Sequence, residues 1–161
     1  MLLLSKNKIM ITVFWDQHGL IFMDILERNA SINKERYCKS LEKLKRAIAT
    51  KRPGLKDTPI TFHQDNARPH TAHQTLAQIA RYGWTLMPHP PYSPDLAPSD
   101  FYLFGQLKNS LRGRTFENDE QLLQEVRGWF RKHDAAFYQS AFVSWKERWT
   151  KCVQMEGGYI E

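Results

Sequence analysis

The spacing of apolar residues predicts a β-hairpin followed by an amphipathic helix. Residues 9–15 are rich in β-branched and aromatic side chains, residues 16–19 (Asp-Gln-His-Gly) are typical of a turn, and residues 20–26 form a second apolar run. From Asn33 the apolar positions recur every three or four residues, which predicts a helix that ends before Pro53. The apolar stripe of this helix consists of Tyr37, Leu41, Leu44 and Ile48.

Short strands and a further helix alternate in the middle of the chain. Strands are predicted at residues 60–63 and 84–87, and a helix at about residues 70–82 lies between them and is closed by Gly83. The resulting order, β-β-α-β-α-β, indicates an α/β layer fold with a mixed sheet.

A proline-rich loop separates this part from a helical C-terminal part. Five prolines in residues 88–98 exclude a helix or a central strand. Ser99 is predicted as the N-cap of the next helix, Asn118 as the cap of another, and a last helix is predicted at about residues 135–149. No repeat, low-complexity segment or long linker appears, so we expect one domain over residues 1–161. Four tryptophans are expected in the core: Trp84, Trp129, Trp145 and Trp149.

The excess of basic over acidic residues indicates which class of partner the chain binds. The chain has 161 residues, with 23 Lys and Arg against 17 Asp and Glu, a net charge of +6 and a pI of about 9.4. This excess favours a polyanionic partner, with nucleic acid as the default candidate, and the alternative is that the charge serves solubility alone. On the long helix, however, a solvated face is the favoured interpretation of Lys39, Lys43, Lys45 and Arg46.

The cysteines and the apolar segments exclude other classes. Cys38 and Cys152 have no metal-finger spacing, which argues against a disulfide-rich scaffold and a structural zinc site. No apolar stretch is long enough for a membrane span, and the first charges follow the initial apolar residues, unlike a secretory signal. We therefore expect an intracellular protein without a membrane partner.

Two aspartates are candidates for chemistry. Asp65 lies just past a predicted strand, and Asp100 lies at a helix start after the stiff loop. Carboxylates at such positions can converge on Mg²⁺, which takes few protein oxygens and completes its octahedron with water and phosphate. Taken singly, each has a structural alternative, an Asx-turn for Asp65 and a favourable helix-dipole contact for Asp100. His70 and His73 are three apart on one helix, but no third ligand completes a zinc site.

Two longer motifs carry a family resemblance. Residues 63–70 (HQDNARPH) and 89–100 (HPPYSPDLAPSD) closely resemble the catalytic core of mariner transposases. Thirty-four residues lie between Asp65 and Asp100, which is the family's spacing between its second and third catalytic aspartates. The third position is Asp, as in mariner, rather than Glu. The resemblance extends from the first predicted strand to the C-terminal Gly-Gly-Tyr-Ile-Glu.

The resemblance implies a ribonuclease H-like fold of the retroviral integrase superfamily, with a mixed sheet flanked by helices. It implies a DDD site with two Mg²⁺ or Mn²⁺ ions that cleaves and joins DNA strands, with Asp65 as the second aspartate and Asp100 as the third. Asp95 is then structural. The implied partners are transposon ends, target DNA and a second copy of the chain, and the implied location is the nucleus. The residues expected near DNA are Asn66, Arg68, His70, Arg112 and Arg114. For the first three, a role in holding the loop is an equal alternative.

One departure limits the activity that we expect. In mariner transposases the first aspartate lies on a strand upstream of the hairpin, preceded by helix-turn-helix modules, and this chain begins at the hairpin. Asp16 is explained by the turn and Asp24 by an outward-facing strand position, so neither is expected to replace that aspartate. We expect weak metal binding, no nicking or joining of DNA by this chain alone, and an open sheet edge where the first strand is missing.

An alternative keeps DNA affinity without chemistry. Mariner domains also occur fused to a SET methyltransferase, and a transposase-derived chain can act as a DNA-binding or dimerisation module. Whether this chain is an enzyme is therefore left open by its sequence. Candidate phosphate contacts for such a module are Arg112, Arg114, Arg127, Arg131 and Lys132.

Overall fold

A computed structural model of the protein describes residues 2–4, 9–26 and 32–154. Those residues divide into two units. Unit 1 comprises residues 2–4, 9–14, 21–26 and 32–91, and unit 2 comprises residues 15–20 and 92–154. The single domain expected from the sequence remains a prediction.

The order of elements follows the predicted alternation. The strands are β1 (Leu2–Leu4), β2 (Ile9–Asp16), β3 (Gly19–Leu26), β4 (Thr61–Phe62) and β5 (Thr85–Leu86). The helices are α1 (Lys34–Lys51), α2 (Arg68–Thr71), α3 (His73–Arg81), α4 (Gly105–Leu111), α5 (Asp119–Lys132) and α6 (Ala135–Gln154). Single 3₁₀ turns span Pro53–Leu55 and Pro94–Leu96, and a π-helical turn spans Ser99–Phe104.

Unit 1 holds the strand pairs that carry the first candidate aspartate. The predicted hairpin is confirmed as β2 and β3, and β4 pairs with β5 in parallel, with Thr61 opposite Thr85. In the described residues these are two separate hydrogen-bonded sheets rather than one mixed sheet. The sequence did not predict β1, which pairs antiparallel with β2 and covers part of the expected open edge, with Leu2 opposite Ile11.

The predicted amphipathic helix is confirmed as α1. The Asn33 side chain caps it by accepting a hydrogen bond from the backbone N–H of Arg36 at 2.8 Å. Its apolar stripe packs into a core with residues from the hairpin, α3 and the start of β5. This core consists of Phe14, Ile21, Tyr37, Leu41, Leu44, Ile48, Ile79 and Trp84.

Unit 2 is helical around the tip of the hairpin. At the tip, Gly19 has φ +120°, and a Cβ added there would lie 3.4 Å from the ring of Tyr138 on α6. The predicted cap of α5 is confirmed, since the Asn118 side chain accepts from the Gln121 N–H at 2.9 Å. Trp129 is buried as predicted, as is Trp84 of unit 1, whereas Trp145 and Trp149 are only half-buried.

Two predicted helix starts are wrong in detail. The helix expected at about residues 70–82 is broken at Ala72, where the backbone is extended, and the hydroxyl of Thr75 donates to the Pro69 carbonyl at 2.6 Å across the break. Ser99 is not an N-cap, because its Oγ instead accepts from Nε1 of Trp15 at 2.9 Å and Pro98 occupies the cap position.

Among the described helices, none combines the length and apolar character that crossing a bilayer requires.

Candidate active site

Asp65 follows β4 in unit 1, and the protein holds its carboxylate through one oxygen. Oδ1 accepts a hydrogen bond from the backbone N–H of Ala67 at 2.9 Å and lies 2.6 Å from Nδ1 of His70. Oδ2 receives no hydrogen bond from the residues that the structure describes, and the side chain is 39% exposed. One oxygen is therefore anchored while the other is accessible to a ligand.

The electrostatics of Asp65 suit a hard cation. The imidazole of His70, 2.6 Å from Oδ1, holds the pKa of this carboxyl well below its usual range, although burial opposes the shift. The carboxylate is therefore charged at neutral pH. An ionised carboxylate with an accessible oxygen is the type of ligand that Mg²⁺ and Mn²⁺ prefer, so this residue fits a divalent ion.

The side chain that contacts Asp65, His70, belongs to a buried network with Tyr37 and Gln64. The ring of His70 is tilted against that of Tyr37, with centroids 4.1 Å apart. The hydroxyl of Tyr37 donates to Oε1 of Gln64 at 2.8 Å, and Nε2 of Gln64 donates to the carbonyl of His70 at 2.7 Å. All three side chains are buried. Within the described residues, Nε2 of His70 has no partner, and Nδ1 makes only the 2.6 Å contact with Oδ1 of Asp65, which does not have the geometry of a regular hydrogen bond.

A second network joins the carboxyl ends of β4 and β5. Nε2 of His63 lies 3.1 Å from Nδ1 of His89, and the side-chain amide of Asn66 donates to the His89 carbonyl at 2.8 Å. Burial, followed by the neighbouring His89, lowers the pKa of His63 to about 4. The neutral imidazole of His63 and the Asn66 amide thus tie the loop after β4 to the loop after β5.

Asp100 lies in unit 2, exposed on the first turn of the π-helical segment. Its backbone N–H donates to the Ala97 carbonyl at 2.9 Å, so the turn begins directly after the proline-rich loop. Single π-helical turns occur frequently at functional sites. Asp95, expected to be structural, is buried, and its carbonyl accepts from Arg148 at 3.3 Å.

The expected site residues fall into two groups. Unit 1 brings Asp65, Asn66 and His70 together, with Arg68 exposed at the start of α2. The other three lie in unit 2: Asp100, Arg112 and Arg114. In the part of the chain that the structure describes, no three His, Cys, Asp or Glu side chains form a group able to hold a metal ion.

Asp16 and Asp24 are both engaged elsewhere. Oδ1 of Asp16 accepts from the His18 N–H at 2.9 Å, as expected for the turn. The expectation that Asp24 faces outward is wrong, because it is only 4% exposed and pairs with the guanidinium of Arg36 at 2.6 and 3.0 Å. Burial alone would raise the pKa of Asp24, but hydrogen bonds from Arg36 and Ser40 outweigh it and lower the pKa.

Positive charge is unevenly divided between the units. In the described residues, unit 1 has 11 Lys and Arg against 5 Asp and Glu, whereas unit 2 has 9 of each. Within unit 2 the guanidinium of Arg114 is already paired with Glu125 at 2.6 Å. An anionic partner therefore has more to gain from unit 1.

Tyr37 and Gln64 belong to the site but are not among the residues predicted from the sequence. Tyr37 fits the apolar stripe of α1, so the sequence indicates a core residue and not the hydrogen bond that its hydroxyl donates to Gln64. Gln64 directly precedes Asp65 at a strand end, and this position beside a candidate ligand is the one feature of the sequence that could have indicated its role. Neither feature shows that the two side chains meet, because 26 residues separate them in the chain.

Comparison with known proteins identifies related chains. A family described as "Transposase (partial DDE domain)" matches residues 3–58. The Mariner Mos1 transposase of Drosophila mauritiana is 37% identical over 157 residues, which cover 96% of this chain and 46% of the relative. The human histone-lysine N-methyltransferase SETMAR is 32% identical over 161 residues, or 99% of this chain and 23% of the relative. The chain thus spans less than half the length of either protein.

Solved structures of the Mos1 transposase have the same fold as this chain. The Mos1 transposase catalytic domain, solved with raltegravir and Mn, superposes with a TM-score of 0.92 and 35% identity, over all of this chain and 80% of that one. A Mos1 paired-end complex with the left transposon end superposes with a TM-score of 0.91 and 35% identity, over all of this chain and 47% of that one. The expected ribonuclease H-like α/β fold is thereby confirmed.

Proposed function

Because this chain belongs to the mariner transposase family and corresponds to its catalytic domain, we propose that Asp65 and Asp100 are two carboxylates of a divalent-metal site for DNA strand cleavage and transfer. The observation that carries this proposal is the Asp65 carboxylate, which is held through Oδ1 and kept ionised with Oδ2 accessible. The 34-residue spacing to Asp100 and the two long motifs support the pairing.

Each residue has a distinct part in this proposal. Asp65 and Asp100 would hold Mg²⁺ or Mn²⁺, which when bound activates the attacking hydroxyl and stabilises the leaving oxygen of phosphoryl transfer. His70 anchors Asp65 rather than binding phosphate, since its ring is buried. Asn66 keeps the loop after β4 in place through the His89 carbonyl, which leaves Arg68 as the exposed candidate for a phosphate contact beside Asp65.

We further propose that residues 1–161 alone neither nick nor join DNA. The family's triad needs a third carboxylate, and Asp16 and Asp24 are both committed to other contacts. Two divalent ions about 4 Å apart repel by about 17 kcal/mol at an effective dielectric constant of about 20. Two carboxylates offset this repulsion less well than three, so metal occupancy should be weak.

The relatives suggest the partners. A Mos1 structure contains a paired-end complex with a transposon end, and we propose that this chain likewise binds DNA and associates with a second copy. A nuclear location follows from that partner. Arg112 remains a candidate contact in unit 2, and Arg114 is a weaker one because Glu125 already neutralises it.

A strand-transfer assay tests the proposed activity. Pre-cleaved transposon ends are incubated with the chain and MnCl₂, with a full-length mariner transposase as the positive control. The expected result is strand-transfer product from the full-length enzyme alone. Product from the 161-residue chain that disappears in Asp65→Asn would contradict its proposed inactivity and support the site, whereas product that Asp65→Asn leaves unchanged would contradict the site itself.

A second candidate function is DNA binding without chemistry, favoured by the excess of basic residues in unit 1. Asp65→Asn distinguishes the two. A metal-dependent enzyme loses metal-dependent turnover, whereas a binding module binds DNA equally well or slightly better once a negative charge is removed.

A further inference from the structure

The side chain that orients Asp65 is itself held from two directions. His70 reaches Oδ1 of Asp65 through Nδ1, and its ring is 5% exposed. One face of the ring lies against Tyr37, at 4.1 Å between centroids. The backbone of His70 is fixed separately, since its carbonyl accepts from Nε2 of Gln64 at 2.7 Å.

Tyr37 and Gln64 act on the same histidine as a pair. The Tyr37 hydroxyl donates to Oε1 of Gln64 at 2.8 Å, which sets the direction of the carboxamide so that its NH₂ group faces the His70 carbonyl. Tyr37 is anchored in α1, at 1% exposure, and Gln64 lies beside Asp65 in the chain at 8% exposure. The network therefore joins a long helix, the end of β4 and the short helix α2 around one carboxylate.

The arrangement has a consequence for metal binding. Groups that hold the ligands of a metal fix the orientation of those ligands, and their loss typically lowers metal affinity about 10- to 100-fold. His70 and the Ala67 N–H both contact Oδ1, and no described residue donates a hydrogen bond to Oδ2. If the imidazole turned or withdrew, the carboxylate would rotate, and Oδ2 would lose its fixed direction.

We propose that Tyr37 and Gln64 are positioning residues, which hold the His70 imidazole on Oδ1 of Asp65 and thereby present Oδ2 to a divalent cation. The part of this inference that concerns the cation rests on the proposed function. The part that concerns the carboxylate does not, because the 2.6 Å contact between His70 and Asp65 exists in the protein without metal.

The test uses Tyr37→Phe, which keeps the ring and removes the hydroxyl, and Gln64→Leu, which removes both side-chain hydrogen bonds. Two matched controls remove comparable groups elsewhere. Tyr138→Phe deletes a buried hydroxyl that donates to the Phe130 carbonyl at 2.5 Å in unit 2. Gln78→Leu deletes a buried carboxamide that donates to the Cys38 carbonyl at 2.9 Å in unit 1.

The first readout needs no metal. Proton NMR should show a downfield Nδ1–H signal for His70, protected from exchange and assigned by its loss in His70→Gln. We expect the signal to lose protection in Tyr37→Phe and Gln64→Leu but to persist in both controls, with thermal unfolding measured for every variant. Unchanged protection in Tyr37→Phe and Gln64→Leu, or equal loss in the controls, would overturn the inference.

The second readout is MnCl₂ affinity, measured by water-proton relaxation. We expect about tenfold weaker binding in Tyr37→Phe and Gln64→Leu, and no change in the controls. Suppose that MnCl₂ binding is lost in Asp65→Asn but is equally tight in wild type, Tyr37→Phe and Gln64→Leu. That result would overturn the inference that Tyr37 and Gln64 affect cation binding. Wild-type binding that Asp65→Asn leaves unchanged would instead overturn the proposed function, and the NMR signal alone would then decide whether the network holds the carboxylate.

Discussion

Two aspartates of unit 1 illustrate how burial separates a structural carboxylate from a candidate ligand. Asp24 is almost fully buried, and its oxygens face Arg36 and Ser40, so the protein uses its whole bonding capacity. Asp65 is partly exposed, and the described residues contact its carboxylate only at Oδ1. Both pKa values are lowered, so the shift alone does not distinguish the two roles, whereas the accessible oxygen does.

At this scale, Asp24→Asn should destabilise the protein by about 2 kcal/mol at pH 7, because it leaves the half-buried Arg36 guanidinium without its charged partner. The lowered pKa of Asp24 means that its contribution is present above the ordinary value of 3.8 and is lost as the pH falls below it. Urea unfolding at pH 7 and pH 3 should therefore show a smaller difference between wild type and variant at pH 3.

Asp57→Asn is the matched control, since Asp57 is exposed at φ +59° and Asn tolerates that conformation. Its free energy of unfolding should stay within about 0.5 kcal/mol of wild type at both values of pH. A loss in Asp24→Asn that is equal at pH 7 and pH 3 would contradict the role given to the ion pair.

At the scale of elements, local patterns predicted the long segments and failed where tertiary contacts decide. The period of α1 and the Asn118 cap of α5 are visible in the sequence because they depend on neighbours in the chain. The prediction that Ser99 is an N-cap is wrong, since its hydroxyl accepts a hydrogen bond from Trp15, which is 84 residues away in the chain. For the same reason the sequence identified Asp65 as a candidate but not the Tyr37 and Gln64 side chains behind it.

The hairpin turn gives a prediction at this scale. Gly19→Ala places a Cβ at a φ of +120° and 3.4 Å from Tyr138, so we expect a loss of about 1–3 kcal/mol in the free energy of unfolding. Gly54→Ala is the control, because nothing lies within 4 Å of its added Cβ and its φ is not positive. Equal effects of the two substitutions in urea unfolding would show that the turn does not require glycine.

At the scale of the whole molecule, the distribution of charge matters more than its total. The net charge of +6 predicted a polyanionic partner, but the sequence alone did not show that the described basic excess lies in unit 1. All described Lys and Arg of unit 1 lie within residues 34–81, but only the structure shows that these residues belong to one unit. This distribution turns the exposed side of α1, expected to be merely solvated, into a stronger candidate for phosphate contact than the arginines of α5.

Neutralising variants test that assignment. Lys39→Gln combined with Arg46→Gln in α1 should weaken binding to a duplex of any sequence and reduce the slope of log affinity against log salt by about two. Arg127→Gln combined with Arg131→Gln in α5 is the matched control and should change the slope less. Fluorescence anisotropy between about 50 and 200 mM salt measures both slopes. A larger reduction in the α5 variant would place the DNA contact in unit 2.

The central proposal is that Asp65 and Asp100 are ligands of the same divalent-metal site. The most direct measurement is an anomalous difference map from crystals of this chain soaked in a high concentration of MnCl₂. We predict a peak about 2.1 Å from Oδ2 of Asp65 and from a carboxylate oxygen of Asp100, and no peak in crystals of Asp65→Asn. A peak that only one of the two aspartates touches, or one that persists in Asp65→Asn, would contradict the proposal.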